Sequence, residues 1–439
     1  MHLMFENLIP NLALLWSGNF KDLNKDQPFV FSKTVWEAIG EATAASRSTM
    51  PSSYGAPVPN IATDRSTFSA ETWSQWALFV GPVVLNGRFP HKRYHDHFCD
   101  LVGLINLCLK FEFSKGDILK IREGFIRWVE KYEAYYYQYV PDRLPCMTLT
   151  VHGLLHIADT IERIGPVWAW WSFPIERQCG RLQRHITNKR RPFANLDNYI
   201  TLAAQLKTAK LIYNITDKDL SLERPVQKKG LELHDEYKGI TLHGKVRKGY
   251  EKSGSYSAAI KSCLFTRYGL KDKKDQDRFW EHLPTKFEAY KQATIANEDR
   301  IRAADYQDPV EEDTDCRDAT FVRYSLLRDV YEHRPNREPV FKETEYFGQL
   351  KMILATELPA RIIPPIIQPT RVVLAIISPR KTTNKTSLGI PYFAEPQTLK
   401  ATPRAVDMNT VMCLVGRIKD RGQWAIVDRS GDMARAEFL

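Results

Sequence analysis

The spacing of apolar residues changes partway along this 439-residue chain, and that change limits its fold more than any other feature. Near the start, Met4, Leu8, Leu12 and Leu15 recur at helical intervals. From about residue 319 the pattern becomes runs of β-branched and aromatic residues bounded by Pro, Asn and Gly: EYFGQLKMILATEL, TRVVLAIIS, VMCLVGRIKD and GQWAIVDRSG. A helix presents one apolar face every 3.6 residues and a half-buried strand every two. The two patterns predict an α+β chain with a mostly helical N-terminal half and a small antiparallel barrel-like or sandwich domain at the C-terminal end. Asp420-Arg421-Gly422 reads as the turn between the last two strands.

Start and stop signals divide the helical half. The first helix stops near Gly18. Ser69 opens one that carries Trp73, Trp76, Ala77 and Val80 and closes at Gly81-Pro82. Further helices are expected at 94–111, 115–139, 150–164, from Pro174 to about 187, and 195–213. The Ser-, Pro- and Thr-rich stretch 44–70 reads as a loop over a surface. Residues 255–304 look helical and end in an acidic linker, DYQDPVEEDTDCRD. The expected divisions are a helical region (1–224), a charged and partly helical connector (225–318) and a β-rich domain (319–439).

Composition narrows the partners. Sixty-two Lys and Arg stand against 52 Asp and Glu, a net charge of +10, which favours an acidic partner such as nucleic acid. Seven cysteines, none in a C-x-x-C pair, read as reduced thiols rather than a disulfide framework. No stretch has the roughly 20 apolar residues of a membrane span. Glu6, Asn7 and Pro10 interrupt the opening apolar run, and no basic residue leads it, so it is no secretory signal. Its helix begins without a capping residue, as though the natural start lay upstream of Met1.

Residues 149–192 hold the densest chemistry. His152 and His156, at i and i+4, can aim both rings at one metal ion, or can be a hydrogen-bonded structural pair. In the next helix Ile175, Cys179, Leu182 and Ile186 read as inward-facing, with Glu176 beside them. Arg177, Arg181, Arg184, His185, Lys189, Arg190 and Arg191 crowd the same element. Glu176 fits either a structural ion pair or a divalent-metal ligand facing a phosphodiester. The basic run fits phosphate contacts or a solvated face. Trp168, Trp170 and Trp171 read as core, and HKRYHDH as the basic start of a helix.

The segments MHLMFENLIPNLALLW, ETWSQWALFVGPVVL and HGLLHIADTIERIGPVWAWWSFPIERQCGRLQ, in that order, resemble the C-terminal half of eukaryotic CACTA-type (En/Spm) DNA transposases over residues 1–215. The β-rich part resembles, more weakly, the accessory domain that follows this core. The resemblance implies a DDE-class, RNase H-like core, similar to the catalytic subunit of the RAG recombinase. There two aspartates and a distant glutamate hold two magnesium ions, and a helical insertion carries a zinc site joining a C-x-x-C to two histidines. By that resemblance Glu176 is the third catalytic carboxylate. His152 and His156 are the histidine half of the zinc site, though the recombinase spaces its pair one residue wider. His2 is the histidine of a D-x-M-H motif near the core.

In the family the D-x-M-H aspartate lies just before the position of Met1, with both catalytic aspartates and the C-x-x-C further upstream. Met1 then reads as an internal methionine of a longer ancestor. A lone glutamate cannot seat two ions, so this chain alone is expected neither to cut nor to join DNA. Three descriptions stay open: a truncated or degenerate transposase; a domesticated, non-enzymatic DNA-binding or interaction module using the basic residues 177–191; and an unrelated basic helical protein. The implied partners are DNA, a second copy of the chain or a full-length transposase. The implied location is the nucleus.

Overall fold

The computed structural model describes residues 2–21, 23, 25–216, 230–233, 235–306, 317–331, 333, 337–359, 369–383, 386–394 and 402–430. Met1, residues 225–229 and residues 307–316 of the expected acidic linker lie outside them. The described helices are α1 (Ile9–Trp16), α2 (Lys33–Ala45), α3 (Ala70–Gln75), α4 (Gly81–Val84), α5 (Lys92–Cys108), α6 (Lys115–Tyr132), α7 (Leu149–Gly153), α8 (Ile157–Ile164), α9 (Val167–Trp170), α10 (Phe173–Arg184), α11 (Pro192–Tyr213), α12 (Ser257–Arg267) and α13 (Lys273–His282). No helix among the described residues is long and apolar enough to cross a membrane.

The helical half follows its sequence signals closely up to residue 164. Ser69 caps α3 through the Thr72 amide, and Ser114 with Asp117 forms a reciprocal capping box on α6. Trp16, Trp76, Phe98, Phe125 and Trp128 are buried in one core. The stretch 44–70 does more than lie over a surface, since Met50, Tyr54, Val58 and Ile61 enter the same core. Helix α2, for which no separate signal was read, contributes Trp36 and Ile39.

Among the described residues the C-terminal half is a curled antiparallel sheet of eleven strands: β1 (Gly230–Glu232), β2 (Thr241–Glu251), β3 (Lys286–Thr294), β4 (Arg300–Arg302), β5 (Phe321–Asp329), β6 (Phe341–Leu358), β7 (Thr370–Arg380), β8 (Tyr392–Ala394), β9 (Arg404–Asp407), β10 (Val411–Asp420) and β11 (Gln423–Asp428). The α+β class is thus observed, with a larger sheet than expected. The sheet also crosses the division expected at 318–319, because β3 pairs with β6. Residues 286–294, expected as helix, are a strand. KFEAYKQAT is rich in helix formers (Lys, Glu, Ala, Gln), but Phe287, Ala289 and Ala293 alternate inward, and pairing on both sides overrides local preference. The expected turn is present. Asp420 pairs with Gln423, and Arg421 and Gly422 both take positive φ, as a tight hairpin requires.

The two halves share side chains. Tyr392, Ile418, Ala425 and Val427 of the sheet belong to the helical core. The Tyr54 hydroxyl donates to the Val427 carbonyl at 2.8 Å and accepts from the Arg429 amide at 3.0 Å. Arg88 reaches the buried Asp420 carboxylate at 2.5 Å.

Candidate metal and nucleic-acid site

The first turn of the chain positions one wall of the site. His2–Leu8 is wound as a π-helix that runs into α1. Pro10 accounts for the local unwinding: it has no N–H to give to the Glu6 carbonyl, and its ring displaces that group. The side chains of His2 and Glu6, four residues apart, meet through His2 Nδ1. Asn7 Nδ2 donates to the His2 carbonyl at 2.7 Å and fixes the turn. Gly153 lets α7 lie directly against it; a Cβ there would come within 2.9 Å of Leu3 Cδ1.

Helix α10 supplies the other wall. Glu176, in its first turn, places Oε1 2.8 Å from His2 Nε2. His2, Glu6 and Glu176 offer one ligand atom each, all within 4.8 Å of one another, and all three residues are exposed. One residue on, the Arg177 charge acts on the half-buried Glu71 of α3. Burial raises the Glu71 carboxyl above its usual range; the Ala56 amide, Arg177 and Gln75 oppose that rise. The start of α10 is therefore tied to both the opening turn and α3.

The expectation of a stranded glutamate is corrected. Glu176 has His2 and Glu6 as companions. Sequence reading used Glu6 only to exclude a signal peptide, although its i+4 spacing from His2 was the available clue. Two carboxylates and an imidazole suit a single divalent ion with some nitrogen preference. They do not fit two magnesium ions, which take oxygen ligands in near-octahedral shells.

His152 and His156 come together, with Nε2 atoms 3.1 Å apart and rings nearly perpendicular. Both are exposed. Among the described residues no cysteine, carboxylate or third histidine joins them within ligand distance, so a four-coordinate zinc site does not fit here. Asp159, in α8, pairs instead with Arg122 of α6 at 2.8 Å.

The basic run is solvent-facing. Arg177, Arg181, Arg184, His185, Lys189, Arg190 and Arg191 are all exposed. The turn that carries the last of them is built, not loose. Asn188 Oδ1 accepts from the Arg190 amide at 3.0 Å and the Arg191 amide at 3.3 Å, and His185 stacks on Tyr199 at 3.8 Å. Cations held on an ordered helix–turn–helix suit a row of phosphates.

Two expectations fail around α10. Ile175 is 68% exposed and Cys179 is exposed rather than inward, because no described element lies over that stripe; Leu182 and Ile186 are only half-buried. Trp168 and Trp170 are each 40% exposed rather than core. They lie beyond Ile161, the last buried residue of α8. Trp168 leans on Phe111, its indole N–H donating to the Phe111 carbonyl at 3.2 Å.

No family model matches the chain, and neither a curated protein nor a solved structure matches it.

Proposed function

We propose that this is a transposase-derived, DNA-contacting protein of CACTA type, whose helical half descends from an RNase H-like DDE core and its insertion. The observation that carries this reading is the 2.8 Å contact between His2 and Glu176. Those two residues lie far apart in the sequence, one in the opening turn and one in α10. The resemblance independently assigns both to the neighbourhood of one catalytic centre, and a chance pairing of unrelated surface residues has no reason to select them.

By itself the chain neither cuts nor joins DNA in this reading. Two-metal phosphodiester chemistry needs carboxylates that bridge ions about 4 Å apart, and the described donor set is two glutamates and an imidazole on an open surface. What remains is phosphate contact by Arg177, Arg181, Arg184, Lys189, Arg190 and Arg191, with a nuclear location following from that partner.

Gel-shift titration on duplex DNA at several salt concentrations tests the binding. Charge reversal at Arg184, Lys189, Arg190 and Arg191 is expected to reduce the salt slope by roughly 3 to 4. Absence of binding at low salt removes the proposal. Plasmid nicking with Mg²⁺ or Mn²⁺ is expected to show no product. Cleavage that disappears in Glu176→Gln overturns the inactivity.

A second reading, an interaction module that pairs with a second copy of itself, is favoured by α11. Phe193, Leu202 and Leu211 are 86%, 65% and 76% exposed on it. Light scattering distinguishes the readings: a monomer at micromolar concentration removes the second.

A further inference from the structure

A second cationic site lies in the sheet, away from the basic run of α10. Strands β5, β6 and β7 place Arg323, Phe347 and Arg380 directly opposite one another, so the three side chains share one face. The next row on that face is Phe321, Gln349 and Ser378. Arg417 of β10 closes the end, its guanidinium 3.6 Å from the Phe321 ring centre and 4.7 Å from that of Trp424.

The charges on this face are unevenly paired. Arg417 is held by Asp318, and Arg323 by Glu345 at 3.2 Å and Asp428 at 3.1 Å. Arg380 has no carboxylate among the described residues, and its buried Nε has no hydrogen-bond partner. Burial alone lowers the Arg380 pKa. Its charge also reaches Arg417, adding to the burial that lowers that pKa against the pull of Asp318. A partly desolvated guanidinium without a counter-charge is unfavourable, and a guanidinium fork is shaped for a planar or tetrahedral oxyanion. Arg380 is only half-buried as a residue, so such an anion can reach it from solvent.

We propose that Arg380, with Arg417 beside it and Ser378 and Gln349 in the neighbouring row, forms a binding site for a phosphate group. The aromatic planes of Phe347, Phe321 and Trp424 wall it. The phosphate comes either from the free ion or from the backbone of a nucleic acid, and the site is independent of the basic run at 177–191.

Thermal unfolding at constant ionic strength tests this, with chloride exchanged for inorganic phosphate. The full chain is expected to gain several degrees in 10 mM phosphate, as a ligand bound only to the folded state requires. A chain reversed in charge at 184–191 keeps that gain. Arg380→Gln loses it, with phosphate affinity at least tenfold weaker, while its melting point without phosphate stays level or rises because a half-buried cation without a counter-charge is gone. Should Arg380→Gln not fold, Arg380→Lys carries the test: it keeps the charge but not the fork, and its affinity falls severalfold. A gain no larger than in chloride, or one retained in full by the Arg380 variants, overturns the site. A fifteen-nucleotide oligothymidylate separates the sources. Displacement of phosphate by the oligonucleotide, weakened by Arg380→Gln, assigns a nucleic-acid backbone; no displacement assigns the free ion.

Discussion

Helices α6 and α11 are comparable in length and differ in almost everything else. In α6, Ile121, Phe125, Trp128, Val129 and Tyr132 form one stripe, and all five are buried. Its other face is charged, and Arg122 there ties it to Asp159 and Glu162 at 2.8 Å each. In α11 the apolar residues go round the helix, and none is buried. A stripe names one surface to pack on. An apolar ring names several, and no described part of this chain supplies them. Helical propensity and the Asn188 turn can form α11, whereas tertiary burial is what stabilises α6.

Truncation of large side chains gives the widest separation between the two. Trp128→Ala or Phe125→Ala is expected to cost about 3–5 kcal/mol, as for other fully buried aromatics. Trp128 also loses the indole hydrogen bond to the His97 carbonyl at 2.9 Å. Phe193→Ala and Leu211→Ala, on 86% and 76% exposed residues, are expected within about 0.5 kcal/mol of the parent. Urea unfolding of the four variants measures this. A Phe193→Ala cost above about 2 kcal/mol would mean that α11 is covered in solution, and the contrast would collapse.

A smaller effect sharpens the α6 side. His97 is 2% exposed, stacked on Trp128 at 4.4 Å with Nε2 3.0 Å from the Trp128 carbonyl. Burial lowers its pKa to about 4, against a smaller upward pull from that carbonyl and from Asp100. The unfolded chain titrates near 6.5, so between pH 6.5 and 4 the unfolded state binds more protons than the folded one. Stability is then full above about pH 6.5 and falls as pH drops toward 4, by about 3 kcal/mol in all. His95, also lowered by burial, adds a loss of the same sign. His97→Gln is expected to flatten part of this slope, read from urea midpoints at pH 7.5 and 4.5. An unchanged slope would show that His97 is not held neutral by α6.

These contrasts show what the residues could disclose. The periods of α5, α6 and α8 were legible because their covering surfaces lie within the same chain, and Ser69 and Ser114 marked two starts. The stripe Ile175, Cys179, Leu182 and Ile186 was equally regular, yet periodicity states that a face is apolar and not that something covers it. Strand β3 was hidden for the opposite reason: Lys, Glu, Ala and Gln favour helix locally, and only pairing with β2 and β6 makes them a strand. Glu176, His152 and His156 were picked out from residue type and spacing, and His2 only from the resemblance. Glu6 was missed although it stands four residues from His2, the same spacing as His152 and His156. Arg380 carried no local signal, since its lack of a counter-charge is a property of three strands together.

The smallest expected effect is the most pointed. Leu202→Glu with Leu211→Glu puts two charges on α11 where the parent has 65% and 76% exposed leucines. If both positions, on opposite sides of the helix, meet only water, the unfolding midpoint moves by no more than about 0.5 kcal/mol, while binding of a hydrophobic dye falls because exposed apolar area has been removed. Amide exchange gives the same contrast without mutation: positions 196–213 exchange through local opening, and positions 121–132 only through near-global unfolding. Loss of midpoint in the double glutamate variant, together with protected amides in α11, would mean that the helix is buried against something in solution. The two regions would then differ in who supplies the cover and not in whether it exists.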